Sequence, residues 1–148
     1  YWFLKKSINL YGETFLKTIA AYNGKEGSTE NGLEIVKNFW QKNGIDKRAL
    51  RMIDGSGLST GNRITTQALV TVMQYAKKQK WFNYFYEALP IINDIPMKSG
   101  SINGVRAYTG YVSSKSGRNY TFAIIVNNFN GSSAAVSEKL FKTLNELK

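Results

Sequence analysis

Lys98-Ser99-Gly100-Ser101 opens the stretch of sequence that decides the fold, and this stretch runs as far as Val126. Residues 105–112 within it alternate with a period of two, which is typical of a β-strand. The pair Ser116-Gly117 predicts a turn, and the β-branched, apolar run from Thr121 to Val126 predicts a second, buried strand. The stretch therefore indicates a strand followed by its hairpin partner.

Helical periodicity occupies the sequence on both sides of this hairpin. Helices are predicted for residues 9–20, for a segment ending at Asn43-Gly44, for a segment capped by Thr65, for the aromatic residues 81–89 before Pro90, and for a closing segment that bears Val136, Leu140, Leu144 and Leu147. The aromatic side chains of residues 81–89 are expected to be core and packing residues rather than a sugar-binding platform. Helices, then a hairpin, then a helix make an α+β arrangement.

The 148 residues include no cysteine and no histidine, which narrows the chemistry that the chain can perform. Disulfides, thiol nucleophiles, Ser-His-Asp catalysis and nearly every zinc site are excluded. We expect no metal and no cofactor, because no tight cluster of carboxylates is present to hold a hard cation. Proton transfer in an enzyme of this composition must use Lys, Ser, Tyr, Asp or Glu.

The formal net charge is +10, from 20 basic and 10 acidic residues. Such an excess first suggests nucleic-acid binding, but the basic residues are scattered, and Lys77, Lys78 and Lys80 form the densest group. We interpret the charge as a solvated surface, with attraction to anionic cell-wall polymer or lipid as the next alternative and nucleic acid as a distant third. No apolar run is long enough to span a membrane, so at most peripheral membrane contact is expected.

Three polar sites stand out, and each has a common structural explanation when it is taken alone. Ser7 in Lys6-Ser7-Ile8-Asn9 is placed to cap the helix that follows it. The glycine-rich segment from Asp54 to Ser59 has the composition of a tight turn. Lys98-Ser99-Gly100 is a sequence that most often forms a surface turn.

Taken together, the order and spacing of the three sites resemble the class C, low-molecular-mass penicillin-binding proteins, which are D-alanyl-D-alanine carboxypeptidases and endopeptidases. The resemblance covers essentially residues 1–148. It rests on Lys6-Ser7-Ile8-Asn9-Leu10-Tyr11-Gly12-Glu13, on Asp54-Gly55-Ser56-Gly57-Leu58-Ser59 followed by Asn62-Arg63, on residues 98–107 with Gly110-Tyr111, and on residues 122–127. It implies the C-terminal part of the penicillin-recognising fold, with helices followed by about three antiparallel strands and a C-terminal helix.

The sequence departs from the pattern of this family at three points. Ile8 stands where Asp or Asn is more usual, and Ser99 replaces threonine but keeps a hydroxyl group. The motif Ser-x-x-Lys, which supplies the nucleophile and its base in the family, does not occur in the 148 residues. We expect that the chain is the C-terminal portion of one carboxypeptidase domain, that the N-terminal part of the same protein carries this motif, and that the fragment alone is inactive.

The resemblance also implies a role for each residue in an acyl transfer that releases the terminal D-alanine. Ser7 relays a proton, Asn9 holds the substrate amide, and Lys98 keeps Ser7 polarised and attracts the substrate carboxylate. Ser99 donates a hydrogen bond to that carboxylate, Gly100 lets the substrate backbone approach, and the backbone N–H of Ser101 forms half of the oxyanion hole. Asp54, Ser56 and Ser59 are expected to form a turn that supports the wall of the site, with direct substrate contact by Ser56 or Ser59 as the alternative.

The implied partners are the peptide stems of peptidoglycan and, in the complete enzyme, β-lactams, and the implied location is periplasmic or otherwise extracytoplasmic. Nucleic acid is not an expected partner. Two alternatives from other classes stay open: a catalytically dead peptidoglycan-binding module that kept the fold, and a basic nucleic-acid-binding domain. The preference between carboxypeptidase and endopeptidase activity also stays open, because both use the same motifs.

Overall fold

The computed structural model describes residues 1–148, and helices dominate the part of the chain before residue 90. The six α-helices are α1 (Trp2–Lys6), α2 (Asn9–Tyr22), α3 (Thr29–Lys42), α4 (Thr66–Lys77), α5 (Phe82–Ala88) and α6 (Ser133–Asn145), with a single 3₁₀ turn at Lys47–Ala49. Each predicted helix is therefore present. No helix combines the length and the apolar character that a membrane span requires.

The strands form one antiparallel sheet of four strands and a separate ladder of two. The ladder pairs β1 (Leu50–Arg51) with β2 (Arg63–Ile64), and the sheet has the order β3 (Ile91–Ile92), β4 (Ile95–Ile102), β5 (Val105–Ser113) and β6 (Asn119–Asn127). The predicted α+β class is confirmed. The expectation of about three antiparallel strands is exceeded by β3 and by the small ladder, each of which is too short to leave a periodic pattern in the sequence.

Two tight turns connect the first three strands of the sheet. Asn93 and Asp94 join β3 to β4, and both have positive φ angles, 50° and 58°. Such angles at two successive residues match the twist of a two-residue hairpin, and Asn and Asp tolerate them better than most residues. Asn103 and Gly104 join β4 to β5, with φ of 71° at Gly104.

The main core lies between one face of the sheet and α6. Its buried members are Ile95, Met97, Tyr108, Val112, Phe122, Val136, Leu140 and Leu144. These positions alternate along the strands and recur every four residues along the helix, so each element presents one apolar face. Burial of each large apolar side chain contributes about 2 kcal/mol before the entropy of ordering is subtracted.

The opposite face of the sheet packs against α4 and α5. Tyr111 is the central residue there, since its ring contacts Phe82 and its hydroxyl donates to the carbonyl of Met73 at 2.6 Å. Burial raises the pKa of Tyr111 to about 12. Phe82 and Phe85 pack against this cluster as expected, but Tyr84 is 78% exposed, so the interpretation of the whole aromatic segment as core is wrong at that position.

The cap predicted at Thr65 is present, and Ser28 caps α3 in the same way. The Thr65 hydroxyl accepts a hydrogen bond from the backbone N–H of Ala68 at 3.1 Å, and Ser28 does the same for Asn31 at the start of α3. Gly44 follows the end of α3 with φ of 89°, a conformation that glycine adopts without strain.

Close packing of α2 on α3 yields a test of the fold. A Cβ atom at Gly32 would lie 2.3 Å from the carbonyl oxygen of Leu16, so Gly32→Ala must separate the two helices. We expect the free energy of unfolding to fall by about 2 kcal/mol, because this overpacking outweighs the higher helix propensity of alanine. Urea denaturation checks this, with Gly27→Ala as the control, since its Cβ would meet the Lys17 carbonyl oxygen at an ordinary 3.5 Å. Equal midpoints for the two variants would contradict the packing described.

Candidate active site

Ser7 interrupts the helical start of the chain and separates α1 from α2. Its backbone lies in the left-handed region, with φ of 53° and ψ of 49°, which costs a residue other than glycine roughly 1 kcal/mol or more. Ile8 is the N-cap of α2, and no side chain caps that end. The interpretation of Ser7 as a helix cap is therefore wrong, and its exposed hydroxyl is left for another partner.

That partner is Lys98. Its ammonium group donates a 2.8 Å hydrogen bond to the Ser7 hydroxyl oxygen, although the two residues are 91 positions apart in the sequence. A second hydrogen bond, also 2.8 Å, runs from the same nitrogen to the carbonyl oxygen of Ser99. Two of the three sites singled out in the sequence thus meet in one place.

The environment of Lys98 disfavours its positive charge. Burial lowers the pKa of Lys98, and the nearby positive charge of Arg106 lowers it further. The ion pairs of this chain are Lys25–Glu34 and Arg48–Asp46, so no carboxylate compensates the Lys98 ammonium. A half-buried, unpaired cation of this kind favours a ligand that brings a negative charge.

Lys5 fixes the position of α1 relative to the sheet. Its ammonium group donates a hydrogen bond to the carbonyl oxygen of Leu89, which is buried at the end of α5 just before the chain enters β3. The helix that leads into Ser7 is thereby tied to the segment that leads into Lys98. The sequence carries no signal for this contact, because a lysine pairing with a distant backbone carbonyl has no local pattern.

The other predicted site residues lie along the same two elements. Asn9 is the first residue of α2 and is half-buried, while Ser99 is half-buried and Gly100 and Ser101 are exposed on β4. The short β3 pairs only with Ile95 and Pro96. The outer edge of β4 therefore has no strand partner from Lys98 onwards.

Asp54 organises the turn between β1 and β2. Its carboxylate accepts hydrogen bonds from the backbone N–H of Gly57 at 2.6 Å, from that of Ser59 at 2.7 Å and from the side-chain amide of Asn62 at 3.1 Å. Although burial opposes ionisation, hydrogen bonds led by that from Asn62 keep the pKa of Asp54 below its ordinary value. The carboxylate thus acts as the hub of the turn.

The two serines of this turn also bond to its own backbone. The Ser56 hydroxyl accepts from the N–H of Leu58 at 3.2 Å, and the Ser59 hydroxyl accepts from the N–H of Gly61 at 3.1 Å. Both side chains are half-buried. These contacts are those of a self-supporting turn, which is the role that we assign to Asp54, Ser56 and Ser59.

Glu13 attaches this turn to α2. One of its carboxylate oxygens accepts from the backbone N–H groups of Gly55 and Ser56 at 2.7 and 2.9 Å, and the other accepts from the hydroxyl of Thr29 at 3.1 Å. The helix and the turn are in close contact at Gly12, where an added Cβ would lie 2.0 Å from the carbonyl oxygen of Gly55. All three predicted sites are therefore linked, since Ser7 and Asn9 precede Glu13 on the same segment.

Sequence reasoning missed Glu13 as a structural link. The available signal was its position four residues after Asn9, which places the two side chains on one face of the helix. No group of three or more Asp or Glu side chains lies close enough to hold a metal ion.

Glu13→Ala tests the link between helix and turn. It leaves two half-buried backbone N–H groups without their acceptor, so we expect the free energy of unfolding to fall by about 2 kcal/mol. Urea denaturation measures the loss, and Glu138→Ala on the exposed surface of α6 is the matched control. If both variants unfold at the midpoint of the unchanged protein, Glu13 does not hold the turn.

The lowered pKa of Lys98 makes folding stability depend on pH in a definite direction. In the window between this lowered pKa and 10.5, the unfolded chain binds more protons than the folded chain. Stability relative to Lys98→Met therefore rises as pH increases through that window.

Denaturation at a series of pH values tests this dependence, and NMR titration of the lysine side chain reports the pKa directly. Arg106→Gln should raise the pKa of Lys98, and the exposed control Arg118→Gln should leave it unchanged. An ordinary lysine pKa at position 98 would contradict the described environment.

Proteins of known identity match this chain over most of its length. The family model described as D-Ala-D-Ala carboxypeptidase 3 (S13) matches residues 2–146. The chain is 27% identical to a D-alanyl-D-alanine carboxypeptidase of Actinomadura sp. over 87% of its own length and 28% of the relative's length. It is 29% identical to carboxypeptidase DacB of Mycolicibacterium smegmatis, covering 84% of this chain and 32% of the relative. The chain thus spans only about a third of these relatives.

Solved structures share the fold of the chain at low sequence identity. Penicillin binding protein 4 (dacB) from Haemophilus influenzae, complexed with a β-lactam, superposes with a TM-score of 0.85 at 24% identity, over 99% of this chain and 39% of that one. An extended-spectrum β-lactamase superposes with a TM-score of 0.72 at 14% identity, over 99% of this chain and 61% of that one. The resemblance seen in the motifs is confirmed: the chain belongs to the D-Ala-D-Ala carboxypeptidase 3 (S13) family.

Proposed function

We propose that this chain supplies one side of the active site of a serine-type D-alanyl-D-alanine carboxypeptidase acting on the peptide stems of peptidoglycan. The observation that carries the proposal is the hydrogen bond between Lys98 and Ser7, which joins two motifs of that family. Family membership and the names of the relatives support the same activity.

The nucleophile is proposed to come from outside the 148 residues, because these contain no Ser-x-x-Lys motif. A serine hydroxyl from that part attacks the carbonyl carbon between the two D-alanines and forms an acyl-enzyme, and water then releases the acyl group. On this proposal the isolated chain neither hydrolyses substrate nor reacts with penicillin.

Ser7 is suited to pass a proton to the departing amine. Since its oxygen accepts a hydrogen bond from Lys98, its own proton is free to point towards a ligand. That proton goes to the leaving nitrogen, and the proton lost by the attacking serine replaces it. Asn9, two residues further on, is proposed to hold the substrate amide through its side-chain carbonyl and NH₂ groups.

Lys98 and Ser99 are proposed to bind the terminal carboxylate of the substrate. The Lys98 ammonium has no carboxylate partner within the chain, and its burial makes an unpaired charge costly. A substrate carboxylate offsets that cost through a charge-assisted hydrogen bond. Ser99 adds a hydroxyl donor on the neighbouring residue.

The free edge of β4 fits an extended peptide. A Cβ atom at Gly100 would meet only the Ala107 Cβ, at 3.8 Å, so nothing within the chain requires glycine at this position. This supports the interpretation that Gly100 leaves room for a substrate backbone. The N–H of Ser101 is proposed as one oxyanion donor, a contact whose loss typically costs about 3 kcal/mol of transition-state stabilisation.

β-Lactams are proposed to acylate the same serine, in line with the β-lactam complex of the structurally similar penicillin binding protein 4. No metal or cofactor has a step in this chemistry. Because the proposed substrate is a component of the cell wall, the proposed location is periplasmic or otherwise extracytoplasmic.

Substitutions in the longer protein test the assignment through release of D-alanine and covalent labelling by a fluorescent penicillin. Ser7→Ala should lower the rate about 10²- to 10³-fold, as expected for loss of a proton-transfer group, and Lys98→Ala should be at least as damaging. Ser116→Ala, in an exposed turn, is the control.

Gly100→Ala separates a substrate-binding role from a structural one. It should lower activity while leaving the denaturation midpoint unchanged, because the chain itself has room for the methyl group. A longer protein that binds stem peptides without any penicillin labelling would instead be a catalytically dead module. Salt-sensitive nucleic-acid binding together with full activity of Lys98→Ala would contradict the proposed role of Lys98.

A further inference from the structure

A cleft of about 670 Å³ lies at the end of the sheet where β4 begins and β5 ends, away from Ser7 and Lys98. Ile95 and Pro96 of β4 and Tyr111 to Ser113 of β5 contribute to its walls. None of the residues assigned to the candidate active site lines it. Its volume is within the range of small-molecule sites in proteins.

Positive charge from three separate elements converges on this cleft. Lys77 ends α4, Lys115 lies in the turn between β5 and β6, and Lys148 follows α6. None of the three is in an ion pair, and the cleft contains a single acidic residue, Asp94. The Lys148 ammonium donates one hydrogen bond, 2.8 Å long, to the carbonyl of Asn93, which leaves two protons for a ligand. The excess of cations favours an anion.

Aromatic rings form part of the walls, and two of them, Phe82 and Tyr86, come from the segment expected above to pack in the core rather than to bind sugars. Phe82 and Tyr86 both contact the buried Tyr111, with ring centroids 5.3 and 5.8 Å apart, so this wall is held in place. Tyr120 contributes a further ring from β6. Aromatic ring faces pack against the apolar faces of sugars, and the hydroxyl groups of Tyr86 and Tyr120 with the neighbouring polar side chains serve the sugar hydroxyls.

Hydrogen-bonding groups complete the lining. The Ser113 hydroxyl donates to the side-chain oxygen of Asn119 at 2.6 Å, and this bond leaves the Asn119 NH₂ group as a donor. A wholly apolar ligand would leave these polar groups without hydrogen-bond partners, and a small inorganic anion would not contact the aromatic rings. The lining thus suits a ligand that is anionic, hydroxylated and ring-bearing at once.

We propose that this cleft binds an anionic carbohydrate, in which sugar rings pack on the aromatic wall and the negative groups face Lys77, Lys115 and Lys148. Phosphate and carboxylate groups supply the same charge, and the two sources are separated by the ligands chosen below. The site is independent of Ser7 and Lys98 and does not depend on the carboxypeptidase activity.

Calorimetric titration of the longer protein that contains this chain tests the proposal with three probes of matched length. These are a phosphorylated maltooligosaccharide, a uronic-acid oligosaccharide and the unmodified maltooligosaccharide. At least one anionic probe should bind, with an affinity that falls as salt is added, and the neutral probe should bind at least tenfold more weakly. The anionic probe with the higher affinity identifies the charged group. Equal binding of the neutral probe, or no binding of either anion, would overturn the proposal.

Variants of equal net charge localise the site. Lys77→Gln with Lys115→Gln should weaken binding about tenfold, the effect of two exposed charge contacts together. Lys17→Gln with Lys42→Gln removes the same charge from exposed positions on α2 and α3 and should change the affinity less than twofold. If both double variants weaken binding equally, the affinity depends only on the net charge of the protein, and the proposed site in the cleft is rejected.

Tyr120→Ala separates a carbohydrate site from a simple anion site. It should weaken the anionic oligosaccharide several-fold and leave the weak binding of inorganic phosphate unchanged. NMR shift changes caused by the oligosaccharide should centre on residues 111–120 rather than on Ser7 and Lys98. Shift changes elsewhere, or tighter binding of single-stranded DNA than of either anionic sugar, would overturn the assignment.

Discussion

A single hydrogen bond, from the ammonium of Lys98 to the hydroxyl of Ser7, joins the helical part of the candidate site to the sheet. Charge-assisted hydrogen bonds contribute about 1.5–3 kcal/mol, and less where water competes, so this bond cannot fix the geometry alone. The remaining constraint comes from the left-handed backbone of Ser7 and from the contact of Lys5 with the end of α5. The left-handed backbone of Ser7 is thus stabilised by the contact of Lys5 with Leu89 before it and by the hydrogen bond from Lys98.

The turn around Asp54 packs on α2, the helix that follows Ser7. Its side chains satisfy its own backbone, so it behaves as a rigid unit, and Glu13 with Gly12 attaches that unit to α2. The turn is therefore attached to the helix that begins two residues after Ser7.

Periodicity and local chemistry predicted most of the fold, because they are properties of short segments. The alternation of residues 105–112, the cap at Thr65 and the apolar spacing of α6 each have a local physical cause. The β3 strand is two residues long, and the attachment of Glu13 to Gly55 joins residues 42 positions apart, so neither has a local signature. The motifs predicted that Ser7 and Lys98 lie together, as their hydrogen bond shows, but the left-handed backbone of Ser7 and the contact of Lys5 with Leu89 emerge only from tertiary packing.

The basic residues behind the net charge of +10 differ in how far they are exposed to water. An exposed lysine keeps its hydration, so its presence requires no special reason, and most of the 20 basic residues are of this kind. Lys98 is half-buried and unpaired, which costs stability whenever it is protonated. The total charge therefore says little about function, whereas the burial of Lys98 without an ion-pair partner supports the proposed carboxylate site.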